Sequence, residues 1–127
     1  QLRETLDLAS VLRSSPAGGL VLVDCLALWV TGLVDVDASW LDAARAEASV
    51  DRGLDTVLPA LRVTKADVVL VTNEVGSGVV PPTASGRLFR DLLGRVNARV
   101  AAACDDVELV VAGVATSIKG RPWTPTT

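Results

Sequence analysis

The 127 residues contain no histidine and no methionine. The first absence removes the commonest general base, the commonest metal ligand and any phospho- or nucleotidyl-histidine intermediate from this stretch of chain. Whatever chemistry these residues perform, they perform without imidazole. The second absence extends to position 1, which is Gln1, so the chain is expected to be a piece of a longer protein. Cysteine is scarce: Cys25 and Cys104 lack C-x-x-C spacing, and no secretory leader is visible. Two buried free thiols in a cytoplasmic protein are therefore expected. Twelve basic side chains against 15 acidic ones leave a net charge of −3, with no basic block or interleaved aromatics. That balance argues against electrostatic binding of nucleic acid. The longest mostly apolar run, Gly18 to Val34, is interrupted by Asp24 and is too short and polar to span a bilayer.

What is present is enough apolar side chain, 50% of the residues, for one domain of 127 residues with a core of its own. Three short β-branched runs, Leu20 to Cys25, Asp67 to Asn73 and Val107 to Gly113, fit strands buried on both faces, as in a parallel sheet. The segments between them look helical. Trp40 to Leu61 carries Leu41, Ala44, Ala48, Leu54, Val57, Leu58 and Leu61, with Gly53 weakening its middle. Thr83 to Cys104 repeats Leu88, Leu92, Val96 and Val100 at a spacing of four, widened by Phe89 and Leu93, and its other face holds Arg87, Arg90, Asp91, Arg95, Asn97 and Arg99. Leu2 to Leu12 reads as a further helix, and Gly120 to Thr127 as a tail. Strand, helix, strand, helix, strand predicts an α/β fold: a mostly parallel sheet with right-handed crossovers and helices on both faces.

Ligands of such sheets bind beyond the carboxyl ends of the strands, where helix N-termini and loops converge. Two strand ends here are polar. Asp24 closes one apolar run, as a Walker B carboxylate does when it holds Mg²⁺ or its waters; the plain alternative is an acid that caps the next helix. Asn73, Glu74, Gly76 and Gly78 follow the other. For the two glycines the plain alternative is a turn that needs positive φ, and the sharper one is an anion nest. Trp29 and Trp40 read as packing residues. Arg87 and Arg90 read first as a solvated helix face.

Taken as an ordered series, these segments resemble the bifunctional adenosylcobinamide kinase and adenosylcobinamide-phosphate guanylyltransferase family. The resemblance rests on "LVDCLALWVTGLV", on Asn-Glu-Val-Gly after a strand, and on Val-Pro, Phe-Arg-Asp, Gly-Arg-Val-Asn and the later "SIK", covering roughly Gly19 to Lys119. It implies a P-loop NTPase-like fold. It implies phosphorylation of adenosylcobinamide by ATP or GTP, then GMP transfer from GTP through a guanylylated His. It also implies a nucleotide site at Asp24, Asn73, Glu74 and Gly76, with Mg²⁺ at Asp24, and a small homo-oligomer. Arg87, Arg90 and Lys119 are candidate phosphate or substrate contacts.

The departures fall at the beginning of the family pattern. No G-x-x-x-x-G-K-[ST] loop occurs, and the only lysines, Lys65 and Lys119, lie outside any glycine-rich loop. The family's first strand, phosphate loop and guanylylated His are therefore expected to lie upstream of Gln1. The 127 residues are then a single α/β domain corresponding to the carboxyl-terminal two thirds of the nucleotide-binding domain, catalytically incompetent by itself. The competing expectation is a non-catalytic α/β binding or scaffold subunit without a phosphate loop.

Overall fold

The computed structural model describes residues 1–122; the remainder of the expected tail lies outside the described residues. The order is α1 (Leu8–Ser14), β1 (Leu20–Asp24), α2 (Leu26–Val36), α3 (Ala43–Val63), β2 (Asp67–Val71), α4 (Ala84–Ala103), β3 (Val107–Val111) and β4 (Val114–Lys119). The class is α/β, as expected. Three helices start where a short polar side chain satisfies an orphan N–H: Asp7 accepts from Ser10 at 3.0 Å, Asp42 from Arg45 at 3.1 Å and Thr83 from Gly86 at 3.1 Å. Thr83 and Cys104 flank α4, which fills its predicted span. The Asp7 cap moves the start of α1 to Leu8, so most of the segment from Leu2 precedes the helix.

Helix α2 lies in a segment expected to be helical, although no stripe or bounds were assigned to it. It packs against α3 and α4, burying Leu26, Trp29, Val30 and Val34, while the apolar Leu28 and Val36 are exposed at 68% and 76%. The amino-terminal half of α3 also faces differently from its predicted stripe. Leu41, Ala44 and Ala48 are exposed, and Ala46, Ser49 and Val50 are buried instead. Small residues let α3 approach α2 closely: a Cβ at Gly53 would meet Leu33 Cδ1 at 2.8 Å and the Trp29 ring at 2.9 Å. The glycine that weakens the helix locally is thus required by packing. Between α3 and α4, Arg95 and Arg99 pair with Glu47, Asp51 and Asp55 at 3.3–3.6 Å. These partly exposed pairs contribute about 0–1 kcal/mol each.

Strands β1 and β2 pair in parallel, Leu22 opposite Val69 and Asp24 opposite Val71. Opposed residues share a face. Val21, Val23, Val68 and Leu70 therefore face the helical core, and Leu20, Leu22, Val69 and Val71 face away, 41–69% exposed. Burial on both faces is met on one only among the described residues. Strand β3 does not extend this sheet. It turns back through Ala112 (φ 50°) and Gly113 (φ 78°) to pair antiparallel with β4 as a separate two-stranded ribbon. A two-residue loop with both φ positive reverses the chain at once, and pairing across so short a loop costs far less closure entropy than joining a distant strand. Both cysteines are free and half-buried instead of fully buried. Burial pushes the Cys104 thiol above its ordinary pKa, with Lys119 opposing. Among the described residues no helix is long and apolar enough to cross a membrane.

Candidate functional site at the sheet edge

Parallel pairing carries the ends of β1 and β2 to the same edge, so Asp24 and the segment after Val71 emerge side by side. The Asp24–Cys25 peptide bond is cis. Cys25 Sγ lies 3.9 Å from Asn73 Oδ1, a weak contact that joins the two strand ends. The Asp24 carboxylate is exposed, and it forms neither a hydrogen bond nor an ion pair with any described residue. The helix after it, α2, has no side-chain cap, so Asp24 is not serving as one.

The loop from Asn73 to Gly78 is tied down along its length. Glu74 Oε1 accepts from the Gly76 N–H at 2.6 Å. Asn97 Nδ2 on α4 donates to the Asn73 carbonyl at 2.9 Å, and Asn97 Oδ1 accepts from Thr72 Oγ1 at 2.6 Å. Arg90 Nη2, also on α4, donates to the Gly76 carbonyl at 2.6 Å. Neither Gly76 nor Gly78 adopts a left-handed φ, so neither the turn nor the nest that such backbone would build is present. A Cβ at Gly76 would stand 2.8 Å from Glu74 Oε1, the tip of an exposed side chain, and would press on the hydrogen bond that closes the loop.

The sheet edge thus brings Asp24, Asn73, Glu74 and Gly76 together, with Arg90 against them. Arg87, about one turn earlier, donates to the carbonyls of Pro81 and Pro82 at 3.1 and 2.9 Å. Lys119 is not among this group. Its Nζ donates to the carbonyls of Ala101, Ala102 and Cys104, capping the carboxyl end of α4. At ~1.5 Å of rise per residue this is about 20 Å along the helix from Arg87. Thr72, Asn97 and Cys25 were missed as site residues. The signal for Asn97 was its spacing of seven from Arg90, two turns along one helix face.

The profile of a family described as "Cobinamide kinase / cobinamide phosphate guanyltransferase" matches residues 1–118, a span that includes every candidate residue except Lys119. The chain belongs to that family. Its relatives include the "Bifunctional adenosylcobalamin biosynthesis protein CobU" of Salmonella typhimurium, 42% identical over 104 residues, which are 78% of this chain and 58% of the relative. The protein of the same name from Escherichia coli is 40% identical over 105 residues, 79% of this chain and 58% of the relative. The "Bifunctional adenosylcobalamin biosynthesis protein CobP" of Pseudomonas aeruginosa is 38% identical over 122 residues, 95% of this chain and 66% of the relative. The match to the first two relatives takes in little more than half of their length. Membership in the cobinamide kinase family agrees with the resemblance carried by the strand-end and α4 residues.

Among the described residues no three Cys, Asp or Glu side chains are placed to hold a metal ion together. Mg²⁺ needs no such cage. This ion is ordinarily held by one or two carboxylates, with waters and substrate phosphates completing its shell. Asp24 offers one such carboxylate at the edge.

Proposed function

We propose that this chain forms the carboxyl-terminal two thirds of a P-loop-type nucleotide-binding domain, within a cytoplasmic transferase of cobalamin nucleotide-loop assembly. The intact enzyme phosphorylates adenosylcobinamide with ATP or GTP and then transfers GMP from GTP to adenosylcobinamide phosphate. The observation that carries the proposal is the pairing of an uncommitted carboxylate, Asp24, with the tethered Asn73–Gly76 loop on one parallel-sheet edge, in a chain of this family. Asp24 would hold Mg²⁺ or its waters, and the ion would neutralise phosphate charge. Asn73 and Glu74 shape the wall beside it, and Arg87 and Arg90 add positive charge at the start of α4. The phosphate cradle and the His that accepts GMP belong to residues outside these 127, because the sequence has neither. Homo-oligomerisation is part of the same proposal.

The test is Asp24→Asn in the full-length enzyme. The substitution keeps the shape and removes the charge, so both kinase and guanylyltransferase turnover should fall by at least about a hundredfold, the scale of losing a positioned electrostatic group. Rates within about twofold of the parent for both reactions would refute the assignment.

A further inference from the structure

The Asn73–Gly76 loop is held at both ends from one face of α4, by two side chains seven residues apart. Asn97 grips the Asn73 carbonyl at 2.9 Å and is itself oriented by Thr72 at 2.6 Å; Arg90 grips the Gly76 carbonyl at 2.6 Å. Between these two points the loop closes on itself through Glu74 and the Gly76 N–H. A carbonyl accepts from either donor without exposing that donor to a ligand. The Asn97 amide has both ends engaged, and Arg90 Nη1 is buried with no partner among the described residues. We infer that Arg90 and Asn97 are positioning residues. They strap the loop to α4 so that Asn73 and Glu74 stand beside Asp24 before any nucleotide arrives, sparing the ligand the entropy of ordering the loop. The strap makes α4 the element that sets the height of the nucleotide wall, and it assigns Arg90 to the loop in place of the phosphate. The ligand half of this inference rests on the proposed nucleotide edge.

Hydrogen exchange of the amides from Glu74 to Gly78 reads the strap directly. Arg90→Ala and Asn97→Ala should each speed exchange by at least about fivefold, the population change expected from losing one such hydrogen bond, while the amides of α3 stay within twofold. Asn97→Asp should match Asn97→Ala, because it keeps an acceptor for Thr72 and has no donor for the Asn73 carbonyl. Unchanged loop exchange in the alanine variants, or parental behaviour of Asn97→Asp, overturns the strap. The second arm measures GTP–Mg²⁺ affinity in the full-length enzyme, where the same variants should weaken binding at least about fivefold. Weakened binding with unchanged exchange also overturns the strap, since the side chains would then touch the nucleotide themselves. Faster exchange with parental affinity, alongside weakened binding in Asp24→Asn, overturns the positioning role. If Asp24→Asn binds normally too, the nucleotide-edge assignment falls, and hydrogen exchange alone then decides the strap.

Discussion

Gly53 and Gly94 are both glycines inside helices, and opposite forces act on them. A glycine in a helix interior costs about 1 kcal/mol relative to alanine, so each replacement should gain that much if space allows. At Gly94, on the exposed face of α4, a Cβ would meet nothing within 4 Å. At Gly53 it would meet the edge of Trp29 at 2.9 Å, a ring only 4% exposed and anchored through Nε1 to the Leu6 carbonyl. Overpacking a ring that cannot turn away costs about 1–3 kcal/mol, which exceeds the propensity gain over most of that range. Gly94→Ala should therefore raise the urea midpoint and Gly53→Ala lower it; a gain at both positions would refute the packing account. At this scale the sequence was legible where chemistry contrasts with its surroundings. Asp24 and Asn73–Glu74 end apolar runs, and such an ending has few causes. Asn97 sits on a helix face that is polar anyway, so only its spacing from Arg90 marks it, and one of its two partners is a backbone carbonyl that no side-chain pattern encodes.

Helix α4 was readable end to end because its apolar stripe repeats at one spacing and Thr83 caps it. Helix α2 was not, because its exposed side carries Leu28 and Val36 as well as Asp35, which erases the amphipathic contrast that periodicity needs. The ribbon of β3 and β4 was missed for a related reason. A continuous apolar strand looks the same whether it is buried in a sheet or paired across a tight turn, and Ala112-Gly113 lacks the asparagine that usually marks that turn. Helix α3 contains a stranger element, Pro59, which the helix passes through and whose side chain is exposed. Proline there removes one backbone hydrogen bond and crowds the Asp55 carbonyl, at about 3 kcal/mol or more. The restricted unfolded chain returns up to about 1 kcal/mol of that. Since the ring contributes little packing, Pro59→Ala should stabilise the chain by about 2 kcal/mol in urea titration with an unchanged m-value. A loss of stability would mean that the local geometry Pro59 imposes on α3 is needed for packing against α2.

The molecule has a well-filled helical core and an incompletely covered sheet. Leu20, Leu22, Val69 and Val71 line up on one face, 41–69% exposed, although parallel sheets are ordinarily covered on both sides. Burying what remains exposed of four such side chains is worth on the order of 4 kcal/mol per protomer, so two protomers meeting face to face recover about twice that. Association costs at least about 4 kcal/mol, which leaves a margin of at most about 4 kcal/mol and a dissociation constant on the order of a millimolar or weaker. The net charge of −3 is too small to oppose it strongly. The 127-residue chain should thus self-associate weakly and reversibly, seen in sedimentation equilibrium as a molar mass that rises towards about 1 mM. Leu22→Thr with Val69→Thr keeps one β-branched strand residue, adds another and removes apolar area, so it should return the chain to monomer with an unchanged far-ultraviolet spectrum. The ribbon is the competing surface, since the opposed pair Val111 and Val114 shares one face and is 63% and 67% exposed. The corresponding pair Val111→Thr with Val114→Thr should leave association in place. If the ribbon pair abolishes association and the sheet pair does not, the β3–β4 ribbon is the sticky surface and the open sheet face is inert.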